Sequence, residues 1–279
     1  MTAHRTVLVL GGGGLLGASE VGMLRALLEH GIEPDLVLGT SVGAINGAAF
    51  AADPTLRSVA LLSEVWRGLA DSGLYSGSTF GRVRHFARTR THAHPNDALR
   101  ALLTSHHGDT RIEDLKVPFQ CVAASIERAA EHWFDSGSVV DAILASSAVP
   151  GLFPPVELGG EHFLDGGLVN SIPVSRALAM GARTVYVLQV GRVERPLEVP
   201  RRPFEVAMVA FEIARRHRFA TDLASLPEGV RVHVLPTGAA DPPRYGDLSA
   251  LRYRDFSRTA ERIDQAYHAS LDYLVSNGC

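Results

Sequence analysis

Apolar positions along the chain follow two alternating periods. Val7-Leu-Val-Leu10 is an unbroken apolar run of strand length, the pattern of a strand buried on both faces. Past a run of glycines, Val21, Leu24 and Leu28 share one helical face, extended by Leu27, while Glu20, Arg25 and Glu29 fall elsewhere on the helix. Gly31 suits a C-cap and Pro34 a stop. Leu36-Val-Leu38 predicts a second strand, and small residues predict a helix from Val42 to about Ala52, broken by Asp53-Pro54.

Residues 55–114 read as mostly helical with loops, the polar stretch Asp71 to Arg84 being the least ordered. Strands are predicted over Phe119 to Ser125 and His132 to Phe134, and a helix from Ser138 to Ala148 that Pro150, Pro154 and Pro155 end. Phe163-Leu164 leads into Asp165-Gly166-Gly167. A helix over Val174 to Gly181, a buried strand over Thr184 to Val190, a helix from Phe204 to about Leu223 and a strand over Val230 to Leu235 follow. Tyr253, Phe256, Ala260, Ile263, Tyr267 and Leu274 keep three- and four-residue spacing, with Ser270 or Leu271 filling the gap, which predicts a C-terminal helix. This βαβα order implies an α/β fold, a mostly parallel sheet with helices on both faces, and the unbroken run of crossovers favours one domain over 1–279.

Charge narrows the function. With 27 basic and 30 acidic residues the net charge is −3, which argues against a dedicated nucleic-acid partner. The two cysteines, Cys121 and Cys279, make no CxxC pair and no disulfide framework, and a cytoplasmic location is expected. The four apolar residues before the glycine run are too few for a signal-peptide core. No apolar run approaches the about 18 residues of a membrane span.

Three places carry chemistry. Gly39-Thr40-Ser41-Val42-Gly43 is a G-x-S-x-G placed after a strand and before a helix. A serine on such a sharp turn needs small neighbours, and the helix start supplies free N–H groups and partial positive charge for a developing anion. Gly11 to Gly14 with Gly17 allow close backbone approach to a ligand. Two chemistries want that: a dinucleotide pyrophosphate, since Gly12-x-Gly14-x-x-Gly17 fits G-x-G-x-x-G, and an oxyanion hole. A nicotinamide site needs an acid at the far end of the second strand. Asp35 sits at that strand's beginning, which favours the oxyanion reading over a nucleotide-binding oxidoreductase. Third, Asp165 ends a strand, as Ser41 does. Of the histidines, His85, His92, His94, His106 and His107 read as solvated residues of loops and helix ends. His233 lies inside a strand and His268 on a helix, so none is well placed as the serine's base.

These blocks together resemble the patatin-like phospholipases, lipid acyl hydrolases with a Ser–Asp dyad. Gly12-Gly13-Gly14-Leu15-Leu16-Gly17 is similar to the family's oxyanion loop, Gly39-Thr-Ser-Val-Gly43 to its nucleophile elbow, and Asp165-Gly-Gly167 to its D-G-[GA] motif. Ala145-Ser-Ser-Ala-Val-Pro150-Gly-Leu-Phe-Pro154 and Leu168-Val-Asn170-Ser-Ile-Pro173 also fit. The resemblance covers about residues 5–191, and the extension over about 200–279 matches no motif. It implies a three-layer α/β/α sandwich, Ser41 as nucleophile, Asp165 as its base, and Gly12, Gly13 and Gly14 as oxyanion donors. It implies no cofactor or metal, a lipid or acyl-ester substrate, and peripheral contact with a membrane. One departure is Leu16, where the family usually carries Arg or Lys. The chemistry leaves a question: a carboxylate with an ordinary pKa of about 3.9 is a poor base at neutral pH unless burial raises it or alignment compensates. Phe204, Met208 and Phe211 with Arg215, Arg216 and Arg218 suggest either an interfacial helix or, in preference, a core-facing helix with a solvated basic end.

Overall fold

A computed structural model of the chain describes residues 6–69, 94–190, 196–197, 199–201, 203–238 and 258–279. The Asp71–Arg84 stretch, His85, His92, Tyr253 and Phe256 lie outside the described residues, as do the side chains of Phe204 and Met208.

The strands are β1 (Thr6–Leu10), β2 (Leu36–Thr40), β3 (Phe119–Ser125), β4 (Ala130–Phe134), β5 (Val156–Leu158), β6 (Glu161–Asp165), β7 (Thr184–Leu188) and β8 (Arg231–Val234). They form one sheet in the order β5-β6-β3-β2-β1-β7-β8, with β4 also paired to β3. The β1–β2, β1–β7, β2–β3 and β7–β8 pairs are parallel, which makes the centre of the sheet the buried doubly covered kind. Alternate side chains of β1 feed two separate cores. Leu8 and Leu10 join the larger one and Val7 and Val9 the smaller.

The larger core is closed by α1 (Ala18–Glu29), α2 (Val42–Ala52), α3 (Leu56–Gly68), α4 (Asp97–His107), α5 (Val139–Ser146) and α9 (Thr259–Asn277). The smaller is covered by α7 (Val174–Ala179) and by α8 (Pro203–Ala224) through Phe219. A short helix α6 (Gly167–Asn170) follows β6 directly. The sandwich expected from the order of elements is therefore present, with β8 in the same sheet as the motif-bearing strands and α9 lying along α1.

Three local expectations are corrected. Glu20 is not on a solvent face: it is fully buried, because α1 is covered on nearly every side. His94 and His107 are buried too, whereas His106 is exposed. His107 follows Leu103 and Leu99 at four-residue spacing, so it falls on the inward face of α4, and burial holds its pKa below the usual imidazole value. The basic stretch of α8 is only partly solvated: Arg215 and Arg216 both pair with Glu212 and are largely buried, while Arg218, still 41% exposed, reaches Glu131 and the Val169 carbonyl. One strand went unpredicted: Val156–Leu158, behind Pro154 and Pro155, turns back on β6 through Gly159 and Gly160, both at positive φ.

Candidate active site

The register of β3 explains how two distant residues meet. Its residues 121–125 pair with β4, so β4 occupies one edge along that length. The other edge is shared. β2 runs parallel to β3 and ends with Thr40 opposite Val122, and β6 runs antiparallel and ends with Asp165 opposite Ala123. The two strands approach head to head along one edge of β3, so the residue after Thr40 must face Asp165.

That residue is Ser41. It has φ 55° and ψ −120°, a left-handed backbone in a non-glycine residue, and it stands at the start of α2. Its neighbours permit the turn. A methyl on Gly39 would lie 2.6 Å from the Ala44 Cα, and one on Gly43 would lie 2.2 Å from the Leu10 carbonyl oxygen. Both spaces are filled by backbone that cannot give way, which is why glycine stands at both ends of the G-x-S-x-G.

Ser41 Oγ donates to Asp165 Oδ2 at 2.6 Å, and both residues are buried. The second carboxylate oxygen, Asp165 Oδ1, accepts the Gly167 N–H at 2.7 Å. Burial pushes the Asp165 carboxyl up to about 6, against the lowering pull of the Ser41 hydroxyl and the Gly167 amide. The acid is thus a far better proton acceptor near neutral pH than a solvated aspartate, which answers the question that composition and spacing left open.

Ser146, near the end of α5, holds both halves. Its Oγ accepts the Ser41 N–H at 2.9 Å, and its carbonyl accepts the Gly166 N–H at 3.1 Å. The Ala148 carbonyl takes the Asp165 N–H at 3.0 Å. Sequence reasoning quoted this Ala145–Pro154 stretch only as part of a resemblance and gave Ser146 no role. Thr40 Oγ1 adds a further tie to the Asn170 carbonyl at 2.9 Å.

The glycine-rich loop lies against the same point. A methyl on Gly12 would sit 3.6 Å from Ser41 Cβ and 3.2 Å from Ser171 Oγ. The Gly11 N–H donates to Leu188 and the Gly12 N–H to Ser171, each at 3.0 Å to a backbone carbonyl. The Gly12 N–H, expected as an oxyanion donor, is thus already held by the chain that follows Asp165. Gly13 and Gly14 are exposed, and their N–H groups meet no backbone acceptor among the described residues. Leu16 is half-buried, one residue before Gly17 ends the turn.

Other candidates fall away from this point. Asp35 accepts the Thr6 N–H at the opposite end of the sheet, so it cannot meet a ribose held over the glycines. His233 stacks on Tyr186 of β7 and approaches Cys279, and no hydrogen bond joins any described histidine to Ser41.

A family model described as patatin-like phospholipase matches residues 8–178, which takes in the glycine loop, Ser41, Ser146 and Asp165. Lysophospholipase NTE1 of Candida glabrata is 33% identical over 195 residues, covering 67% of this chain and 10% of that protein. The Saccharomyces cerevisiae protein of the same name is 31% identical over 195 residues, covering 67% of this chain and 11% of its own. Patatin-like phospholipase domain-containing protein 7 of Mus musculus is 30% identical over 194 residues, 68% of this chain and 14% of that one. The chain thus matches only a small part of the length of these relatives. Among solved structures, VipD from Legionella pneumophila superposes with a TM-score of 0.52 at 14% identity, over 99% of this chain and 67% of that one, a likeness of fold.

Proposed function

The chain belongs to the patatin-like phospholipase family, and on that footing we propose that it is a serine hydrolase cleaving carboxylic ester bonds of lipids. The observation that carries the proposal is the 2.6 Å hydrogen bond from Ser41 Oγ to a buried carboxylate whose pKa is raised to about 6.

The chemistry follows from that pair. Ser41 Oγ attacks the ester carbonyl carbon as its proton passes to Asp165 Oδ2. The carbonyl oxygen becomes an oxyanion, and the Gly13 and Gly14 N–H groups are its donors, with Gly12 lining the site beside Ser41. The positive end of α2 favours the same charge. Collapse of the intermediate expels the alcohol, which takes the proton from Asp165 and leaves an acyl-serine. Water then gives its proton to Asp165 and attacks the acyl carbon, and the carboxylic acid departs as Ser41 is reprotonated.

A lipid substrate is supported by the apolar surroundings. Leu168, three residues past Asp165, is 42% exposed, and α8, packed on α6, exposes Val206 and Ile213. Such residues suit an acyl chain or contact with a lipid surface. No helix among the described residues is long and apolar enough to cross a membrane. We read the whole of 1–279 as one working unit, because β8 and α9 complete the sheet and core that hold the site.

The test is covalent labelling with a fluorophosphonate, with the modified residue located by mass spectrometry, beside hydrolysis of lysophospholipids and of p-nitrophenyl esters of graded chain length. Labelling at Ser41 that Ser41→Ala abolishes, together with ester turnover, is expected. Saturable NAD(P)H binding with no label at Ser41 would replace this reading with the oxidoreductase one.

A further inference from the structure

Beneath the glycine-rich loop lies a buried polar cluster that the chemistry above does not use. Asn46, five residues after Ser41 on α2, donates through Nδ2 to Glu20 Oε2 at 2.7 Å and to the Gly17 carbonyl at 2.9 Å. Its Oδ1 accepts the Trp66 Nε1–H of α3 at 2.9 Å. The orientation of the amide is not arbitrary. An indole N–H can only donate, so the oxygen of Asn46 must face Trp66 and its two N–H bonds must face Glu20 and Gly17. The amide has both donors engaged and cannot turn without losing three partners.

Glu20 is fully buried on the first turn of α1, and its other oxygen, Oε1, has no hydrogen-bond partner. Its carboxyl also lies by the Gly11 backbone. The cluster therefore touches both ends of the loop, Gly11 at its start and Gly17 at its end, and reaches the nucleophile's helix through Asn46. Burial drives the carboxyl pKa well above its ordinary value.

We propose that Glu20 and Asn46 are a positioning pair that fixes the oxyanion loop relative to Ser41. The inference rests on the hydrolase reading, since only there does the separation of loop and serine matter. In such a site a displacement of about 1 Å costs on the order of 10²-fold in rate. Neither residue touches the reacting atoms. Their effect falls on kcat, because the loop meets the oxyanion of the transition state rather than the acyl chain of the bound ester.

The experiment uses the full chain and its p-nitrophenyl ester turnover in four forms: wild type, Glu20→Leu, Glu20→Gln and Trp66→Phe. Glu20→Leu is expected to lower kcat about 10- to 100-fold with KM within about threefold. Glu20→Gln, which keeps the shape and an acceptor for Asn46, recovers most of that loss. Trp66→Phe keeps an aromatic ring, though a smaller one, but removes the N–H that faces the Asn46 oxygen, and it lowers kcat severalfold, also at nearly constant KM. It carries the test where Glu20→Leu does not fold. Folded Glu20→Leu or Trp66→Phe with wild-type kcat would overturn the positioning role, as would Glu20→Gln being as poor as Glu20→Leu. If wild type itself turns over no ester and takes no label at Ser41, the hydrolase reading fails first and the positioning role with it.

Discussion

Ser146 Oγ accepts the backbone N–H of Ser41, although 105 residues separate the two. The bond fastens the non-glycine residue of the site that stands in a left-handed conformation, and the Ser146 carbonyl fastens the turn behind Asp165. Removing the hydroxyl leaves a buried N–H without its partner, which typically costs about 1–3 kcal/mol. Ser146→Ala is therefore expected to unfold at lower temperature and to lose about 10-fold or more in kcat, because the nucleophile is no longer pinned. Thermal unfolding and steady-state kinetics check both. Wild-type kinetics in the folded variant would show that the elbow holds its shape without Ser146.

The glycines of the elbow separate steric need from loop habit. At Gly43 a methyl would meet the Leu10 carbonyl at 2.2 Å, a backbone atom inside the central strand. At Gly68, the last residue of α3, a methyl meets nothing within 4 Å. Gly43→Ala is expected to destabilise by at least about 2–3 kcal/mol, in the range of overpacked cores. Gly68→Ala is expected to be neutral or to stabilise by up to ~1 kcal/mol, as alanine favours helix. Denaturant midpoints measured side by side test the contrast, and equal midpoints would refute it.

How much of this was legible in the sequence depends on the range of the cause. β1, β2 and the G-x-S-x-G turn are set by local pattern, and Ser41 and Asp165 stood out because each closes a strand with a turn motif. Their contact was not legible locally. It comes from β2 and β6 ending head to head on one edge of β3, a product of register. Ser146 escaped notice for the same reason, since a serine inside a helix carries no sign of what its hydroxyl meets. Glu20 and His107 were misread because residue type was weighed above helical position. His107 keeps the period of Leu99 and Leu103 and could have been placed by it, whereas Glu20 is buried by α2 and α3 elements far along the chain.

The raised pKa of Asp165 fixes the sign of two pH effects. As a base it must be ionised, so kcat/KM is expected to rise with pH through about 6 and level off above it. Stability runs the other way. A carboxyl that holds its proton more tightly folded than unfolded contributes stability fully present below about 3.9 and lost as pH rises through about 6. Keeping Asp165 ionised at neutral pH thus costs the native state on the order of 3 kcal/mol. Asp165→Asn, which cannot ionise, is expected to be inactive yet more stable than wild type at pH 8, with the gap closing by about pH 4. Unfolding curves of both proteins at these pH values decide it, and a gap that does not shrink on acidification would mean that burial is not what raises the carboxyl.

Gly13 offers a test of the oxyanion loop that can be reversed. Its backbone, φ 173° and ψ 15°, lies outside the left-handed region. The obstacle is a single neighbour: a methyl on Gly13 would lie 1.9 Å from Val190 Cγ2, the tip of a side chain just past β7. Gly13→Ala must therefore push either Val190 or the loop. Val190 is buried whereas the loop is exposed, so the loop is expected to yield, moving its N–H groups away from Ser41. Loss of one such donor costs on the order of 10²-fold in kcat. Shortening the neighbour removes the clash, and the double variant Gly13→Ala/Val190→Ala should regain most of the lost rate, although Val190→Ala alone lowers stability by about 1–3 kcal/mol. Rescue of kcat by a substitution that by itself only destabilises would be hard to obtain unless the position of the loop sets the rate. A double variant no faster than Gly13→Ala would instead place the oxyanion donors elsewhere, with the N–H groups at the start of α2 as the next to test.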